Sequence, residues 1–363
     1  MRWARAIPPV AKVAAALPGA MAPKKGSEME FENPQQTLGT IAVDLVIIGG
    51  GVAGLSAAIN SSAEGLTTVL LEERKRFGGQ AGTSTRIENY LGFAEGASGP
   101  ELTEFAVTQA ARLGAHLSTG RRVSQIRPHG RIWKVICDTG HEYVTRAVLI
   151  CTGQQWRRLE VPGARMCKAL VYGPTPEVLA RLSGKRVAVV GAANSAGQAA
   201  LYLAEHNGCQ VTILSRRTLG AAMSAYLTDR IGTYPGIRTL EHTEVRAVTD
   251  NADGGATLEL TSGEMLGVAA ALIYIGMVPT PSTFLSGLAT TDAEGFLVTA
   301  APEGFALAGA RGLFAAGDIV SGTRKRVATA TGNAATAIAE IWNYVREVLT
   351  AEAEDTAAPR VRA

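Results

Sequence analysis

Cysteine is scarce in this 363-residue chain, and no two cysteines are separated by only two residues. The four cysteines are Cys137, Cys151, Cys167 and Cys209, with no histidine beside them at the spacing of metal ligands. Disulfide frameworks and zinc sites need closely spaced cysteines, so the sequence argues against both. We therefore expect no metal site, and this cysteine usage favours a reducing, cytoplasmic location.

Long apolar runs and a strong net charge are also lacking. No stretch reaches the roughly 20 apolar residues that span a bilayer. The formal net charge is +3 and the basic residues are scattered, which argues against a nucleic-acid partner. With 47% hydrophobic residues, the chain can bury two cores. We predict a flexible extension at 1–40, with a targeting segment or an overextended start as alternatives, and a flexible tail at 350–363.

A glycine-rich turn between a strand and a helix is the first positive signal. The apolar run 43–48 predicts a strand, and 49–54, with the sequence GGGVAG, follows it directly. A second strand at 68–71 ends in Glu72, about twenty residues after the turn, where such units place an acid over a ribose. The pattern predicts contacts with a dinucleotide at Gly49, Gly51, Ala53, Gly54, Glu72 and Glu73.

The same pattern occurs again farther along the chain. A strand at 186–190 leads into the turn 191–196, with the sequence GAANSA, in which Ala193 replaces the middle glycine. After a strand at 270–275, the chain returns to the first unit. We predict an α/β fold with two Rossmann-like (three-layer ββα) dinucleotide-binding domains, the second inserted into a discontinuous first. The predicted boundaries are 41–155 and 276–349 for the first domain and 156–275 for the second.

Further segments resemble a known family. They are 78–83 (GGQAGT), 87–93 (IENYLGF), 194–200 (NSAGQAA) and Gly317-Asp318. On these segments, about residues 41–348 resemble the thioredoxin-reductase-like pyridine nucleotide-disulfide oxidoreductases, and within them a branch that lacks the active disulfide. The resemblance implies a flavoprotein that binds FAD noncovalently, takes hydride from NADPH and forms a homodimer.

The resemblance also implies the residues that bind each cofactor. Asp318 would bond the ribityl hydroxyls, and the helix that begins near Arg326 would face the pyrimidine edge of the flavin. The further FAD residues implied are Gly79, Gln80, Asn89, Thr152, Gly153, Gly317, Val327 and Ala328. For NADPH they are Gly191, Asn194, Ser195, Arg216 and Arg217. Because Ala193 and 220–223 depart from the family pattern, NADPH binding, vestigial binding and a preference for NADH stay open.

The disulfide of the family has no counterpart here. In the matching stretch, 171–177 (VYGPTPE), Gly173 and Pro176 occupy the two cysteine positions. The flavin is then the reactive group, no side chain is assigned as catalytic, and we predict an acceptor other than thioredoxin: a small molecule, a quinone, a redox protein or oxygen. The alternatives are an oxidase or tailoring enzyme that uses oxygen and a catalytically silent flavin-binding sensor or scaffold. Trp156, at the first crossing between domains, is predicted to pack at the interface, with stacking near the flavin as the alternative.

Overall fold

The computed structural model describes residues 40–357 except 85 and 281, so the predicted extension, apart from Thr40, lies outside the described residues. In chain order the strands are β1 (Thr40–Ile48), β2 (Thr68–Glu72), β3 (His116–Thr119), β4 (Val123–His129), β5 (Ile132–Cys137), β6 (Glu142–Ile150), β7 (Gln154–Trp156), β8 (Leu170–Val171), β9 (Arg186–Val190), β10 (Gln210–Leu214), β11 (Ile237–Leu240), β12 (Val245–Asp250), β13 (Ala256–Leu260), β14 (Met265–Val268), β15 (Ala270–Ile273), β16 (Met277–Pro279) and β17 (Leu313–Ala315). The α-helices are α1 (Val52–Ala63), α2 (Gly99–Arg112), α3 (Pro176–Ala180), α4 (Asn194–Asn207), α5 (Ala225–Thr233) and α6 (Val327–Ala357).

The first sheet combines strands from both ends of the described chain. Its order is β3-β2-β1-β6-β5-β4, and β17 pairs with β6. Strands β1, β2, β3, β6 and β17 pair in parallel, whereas β4, β5 and β6 form an antiparallel meander. Alternate residues of β1 enter different cores: Leu45 and Ile47 pack with the helices, and Val46 and Ile48 pack with the meander. Three layers result, as the sequence predicts.

The second sheet repeats this arrangement with residues 170–273 alone. Its order is β11-β10-β9-β15-β8, with parallel pairing throughout. A separate antiparallel sheet, β12-β13-β14, covers one face. Val187 and Val189 pack toward the helices, and Ala188 and Val190 pack toward that small sheet. The predicted α/β class with two dinucleotide-binding sheets is confirmed.

A narrow two-stranded ribbon joins the two sheets. β7 pairs antiparallel with β16, with Trp156 opposite Met277, and Arg157 N–H donates to Gly276 O at 3.0 Å. The chain therefore enters and leaves the second sheet at neighbouring positions.

The last helix is longer than the sequence pattern predicts. We expected a flexible tail from residue 350, but α6 continues to Ala357. Residues 350–357 are mostly alanine and glutamate, which favour helix, and no glycine or proline occurs before Pro359. Arg146 also holds this turn, with a hydrogen bond of 2.8 Å to Glu352. Across the described residues, no helix is both long and apolar enough to cross a membrane.

Candidate functional site

The first glycine turn packs closely against the backbone while leaving one side open. Gly49 has φ +106°, and a Cβ there would lie 2.5 Å from Cys151 O. A Cβ at Gly54 would lie 1.9 Å from Gly49 O, so both positions require glycine for packing. Gly51 differs, because the nearest atom to its added Cβ would be Gly79 Cα at 3.9 Å. The space beside Gly51 is available to a ligand.

Helix α1 starts at this open space. Gly51 is its N-cap, and no side chain caps its first N–H groups. Free N–H groups and the positive end of a helix dipole attract anions, which is how such turns bind a pyrophosphate.

A cavity of about 510 Å³ extends from this turn along the first sheet. This volume lies within the usual range for sites of small molecules and cofactors. Twelve of the predicted FAD residues line it: Gly49, Gly51, Ala53, Glu72, Glu73, Gly79, Gln80, Thr152, Gly153, Asp318, Arg326 and Val327. Their contact with FAD stays a prediction, but the fold brings them to one place.

Four predicted FAD residues do not line the cavity. Gly54 is buried in the turn, and Gly317, with φ +78°, packs against α1, where an added Cβ would lie 2.7 Å from Ala53 Cβ. Asn89 lies in an exposed loop, and Ala328 is exposed in the first turn of α6. The two glycines are therefore needed for close packing, and the contacts of all four residues with FAD stay predictions.

Glu72 is positioned at the end of β2 by two backbone groups. Its Oε2 accepts from Gly50 N–H at 2.7 Å, and its Oε1 accepts from Arg74 N–H at 2.8 Å. Burial raises the pKa of this carboxyl group, and those two hydrogen bonds partly offset the effect. Each carboxylate oxygen has a further lone pair, so Glu72 can still accept from ribose hydroxyls.

The opposite part of the cavity contains the turn before α6. Asp318 lines this part of the cavity. Burial raises the pKa of its carboxyl group, and the nearby positive charge of Lys325 offsets only part of that rise. Lys325 Nζ donates to the carbonyls of Asp318 and Val320 at 2.8 and 3.1 Å. Helix α6 begins beside them at Val327. A lysine and a helix N-terminus together give this end a positive potential.

Several cavity residues were missed by the sequence analysis, notably Arg74, Arg121, Arg122 and Lys325. Arg121 follows the short, polar strand β3, and its N–H donates to Glu72 O at 2.9 Å. The pairing of β3 with β2 brings it there. That pairing would have been the signal, because parallel strands place their carboxyl ends at the same edge.

The shape and the polar lining of the cavity, apart from any sequence motif, also fit a dinucleotide. Arg121 and Thr152 line the cavity with polar side chains, although Arg121 Nε and Thr152 Oγ1 themselves are shielded from solvent. The space beside Gly51 and the uncapped start of α1 would hold the phosphates of FAD. The carboxylates of Glu72 and Asp318, which also line the cavity, would accept from its hydroxyl groups.

The second glycine turn packs closely against the backbone, as the first one does, but the residues beside it differ. Gly191 has φ +137°, and a Cβ there would lie 2.2 Å from Tyr274 O. Helix α4 follows, with Ala193 as its N-cap and no side-chain cap. Asn194 is bonded to Ser224 in both directions, at 2.8 and 3.0 Å, so its amide fixes the neighbouring loop.

The remaining residues predicted for NADPH are open to solvent. Ser195, Arg216 and Arg217 are exposed, and only Ser215 separates the two arginines from the end of β10. Arg216 and Arg217 are therefore accessible to a 2′-phosphate, and this role stays a prediction.

At the position where the sequence resemblance places the disulfide, the indole ring of Trp156 packs against Gly173. Gly173 has φ +59°, and a Cβ there would lie 2.3 Å from Trp156 Nε1. Trp156 also packs edge-on against Tyr274, with ring centroids 5.5 Å apart. The indole thus packs between the connecting ribbon and the second sheet and is absent from the lining of the cavity.

None of the four cysteines offers an alternative redox pair. All are free and buried. Burial raises the pKa of each thiol, to about 12 for Cys137, so all remain protonated at neutral pH. A thiol in this state is a poor nucleophile.

We expect the native protein to show no rapidly reacting thiol toward Ellman's reagent, either before or after anaerobic addition of NADPH. In guanidinium chloride, all four cysteines should react. The denatured sample is the matched control for reagent and concentration. The appearance of two thiols only after NADPH would contradict this expectation, because it would reveal a reducible disulfide.

Two sheets, each with a glycine turn that leads from a parallel strand into a helix without a side-chain cap, define an α/β oxidoreductase that binds two dinucleotides. The chain belongs to the pyridine nucleotide-disulphide oxidoreductase family, whose model matches residues 43–337. Thioredoxin-reductase-like members use FAD and NADPH, so both predicted cofactors are confirmed at this level.

Known relatives share most of the chain. It is 32% identical over 312 residues to the thioredoxin reductase of Bacillus subtilis, covering 84% of this chain and 95% of the relative. Among solved structures, thioredoxin reductase of Lactococcus lactis in its FR conformation has a TM-score of 0.74 and 29% identity, over 84% of this chain and 99% of that one. The bacillithiol disulfide reductase Bdr of Staphylococcus aureus shares the fold, with a TM-score of 0.69 and 19% identity, covering 83% of this chain and 98% of that one.

Proposed function

We propose that this protein is an FAD-dependent NAD(P)H oxidoreductase that passes electrons to an acceptor other than thioredoxin. The observation that carries the proposal is the contact between Gly173 and Trp156, at the place where the sequence pattern expects a cysteine. The absence of any closely spaced cysteine pair in the sequence supports it. Within this proposal, residues 41–155 and 276–349 bind FAD, residues 156–275 bind NADPH, and the protein forms a homodimer.

Each part of the cavity has a distinct task. The chemistry that bound FAD supplies is acceptance of hydride from nicotinamide and release of electrons to a second substrate. The start of α1 would bind the pyrophosphate, and Glu72 would accept from the adenosine ribose. Asp318 would bond the ribityl chain. The start of α6 and Lys325 would stabilise negative charge near the reactive ring.

An anaerobic titration tests the proposal. We expect about one equivalent of NADPH per flavin to bleach the visible absorbance, because the flavin is the only two-electron centre. If a reducible disulfide were present, a second equivalent of NADPH would be consumed. A titration that needs two equivalents of NADPH per flavin would therefore contradict the proposal. NADH added in parallel measures what Arg216 and Arg217 contribute to selection.

One departure from the family pattern, at Ala193, favours a second candidate function, that of an oxidase. Ala193 places a methyl group at the N-cap of α4, where a glycine would let the pyrophosphate of NADPH approach. A flavin that stays oxidised for minutes under NADPH, with peroxide released when an organic substrate is added, would support the oxidase and overturn the first proposal.

A further inference from the structure

The two-stranded ribbon is the place where one sheet would be expected to move relative to the other. The chain passes from the first sheet to the second through β7, the entering strand, and returns through β16, the returning strand. Each strand has three residues. Units joined by such narrow connections usually rotate, and the φ and ψ angles of a few connecting residues absorb the rotation. The contacts at the two ends of the ribbon therefore decide whether the sheets can rotate.

Hydrogen bonds hold one end of the ribbon to the first sheet. Gln80 Nε2 donates to Gln154 O at 2.7 Å. After the returning strand, Thr280 N–H donates to Gly153 O at 3.0 Å, and its hydroxyl donates to Thr152 O at 2.9 Å. Thr152 and Gly153 lie within three residues of the end of β6. Both strands of the ribbon are therefore attached to the first sheet.

An aromatic contact holds the other end of the ribbon to the second sheet. Trp156 is the last residue of β7, and Tyr274 directly follows β15. Their rings pack edge to face, with centroids 5.5 Å apart. The indole also fills the space that a side chain at Gly173 would need. Because Trp156 contacts two segments of the second sheet, it fixes the direction in which β7 enters it.

The residues after β7 are held in the same way. The guanidinium of Arg158 lies 4.4 Å from the centre of the Tyr172 ring, and the hydroxyl of Tyr172 accepts from Leu159 N–H at 3.0 Å. Gly276, with φ +99° and no atom within 4 Å of an added Cβ, would be the most adaptable residue of the returning chain. Its carbonyl, however, accepts from Arg157 N–H at 3.0 Å.

Little backbone is left to absorb a rotation. On the entering strand, Gln154 is bonded to the first unit and Trp156 packs against the second. Only Gln155 lies between them, and it pairs with Val278. On the returning strand, the ring of Pro279 fixes φ. A rotation would therefore have to break the contacts of Trp156 first.

We propose that Trp156 holds the two sheets in a single relative orientation, so that the protein works without rotation of one sheet against the other. Trp156 does not line the cavity beside the first glycine turn, so it is a positioning residue. The orientation is independent of which acceptor the protein uses.

Distances between two spin labels, measured by double electron-electron resonance, test this proposal. The labels are attached through Arg127→Cys on β4 and Asp229→Cys on α5, both exposed positions, while the native cysteines are buried. The protein is used as purified, with its bound flavin, before and after addition of NADPH. We expect one narrow distance distribution that NADPH does not change. Trp156→Ala in the same labelled protein should make the distribution at least about twofold broader or add a second distance.

Trp342→Ala is the matched control. Trp342 is also half-buried and has an arginine, Arg346, 4.5 Å from its ring, but it lies on α6, outside the ribbon. This variant should keep the narrow distribution of the parent. If Trp156→Ala does not fold, Trp156→Phe, which keeps an aromatic edge against Tyr274 but leaves space beside Gly173, should also broaden the distribution.

Hydrogen exchange gives an independent readout. The amides of Arg157 and Thr280 donate the hydrogen bonds at the two ends of the ribbon. In Trp156→Ala both should exchange about tenfold faster than in the parent, because the ribbon opens more often. The amides of β1 should keep their rates, which distinguishes opening of the ribbon from general destabilisation. Trp342→Ala should leave the ribbon amides unchanged.

Two distances in the parent protein, a change of distance on addition of NADPH, or a Trp156→Ala variant with the distribution of the parent would overturn the role of Trp156. The proposed function is tested separately, because these distances are measured whether or not NADPH bleaches the flavin.

Discussion

Gly51→Val should abolish FAD binding while leaving the apoprotein folded. Gly51 has φ −75° and ψ −174°, which any residue adopts, and its Cβ would meet no atom closer than 3.9 Å. The valine side chain would instead occupy the space where a pyrophosphate approaches α1. We expect FAD affinity to fall at least about 100-fold, or about 2.8 kcal/mol. Loss of a favourable N-cap should cost only about 1 kcal/mol of stability.

Gly54→Ala is the contrasting variant for the same turn. Its Cβ would lie 1.9 Å from Gly49 O, so strand and helix must separate. We expect about 3 kcal/mol of destabilisation in the apoprotein as well as weaker FAD binding. Thermal melts of both apoproteins, with FAD titrations, separate the two effects. If Gly51→Val bound FAD normally, the ligand could not lie against the start of α1.

Restoring the two cysteines should not restore a thioredoxin reductase. In a Gly173→Cys, Pro176→Cys double variant, position 173 would have to keep φ +59° and would overlap Trp156 Nε1. The left-handed backbone costs about 1–2 kcal/mol, and the overlap costs about 1–3 kcal/mol more. We expect a melting temperature lower by roughly 5–15 °C and no NADPH-dependent reduction of thioredoxin.

Adding Trp156→Ala to the double variant removes the overlap. The triple variant should regain part of the lost stability. In the anaerobic titration it should consume a second equivalent of NADPH, because the new disulfide accepts two electrons. Trp156→Ala alone is the control for loss of the indole. A double variant that melts like the parent and reduces thioredoxin would show that the indole does not restrict this position.

The sequence predicts best what depends on neighbouring residues. The strand, turn and helix around Gly49 and the acid at Glu72 all lie within residues 43–72, and the structure places them together at the cavity. Arg121 could not be found in this way, because its place depends on the pairing of β3 with β2.

Tertiary packing decides the remaining differences. The sequence shows that Gly173 cannot carry a thiol, but the overlap with Trp156 follows only from the pairing of β7 with β16 and the docking of that ribbon. The end of α6 depends on Arg146, which lies 206 residues before Glu352 in the chain. Patterns within a short window contain no information about such contacts.

The strand order also has a consequence for synthesis on the ribosome. Val148, Leu149 and Ile150 of β6 pair with β17, which is made only after the whole second sheet. At about 5–20 residues per second, translation leaves roughly 10–30 s between them. During that interval the apolar end of β6 is an unpaired strand edge, the kind of surface that mispairs with other chains. Nascent chains arrested between residues 160 and 312 should therefore depend most on chaperones.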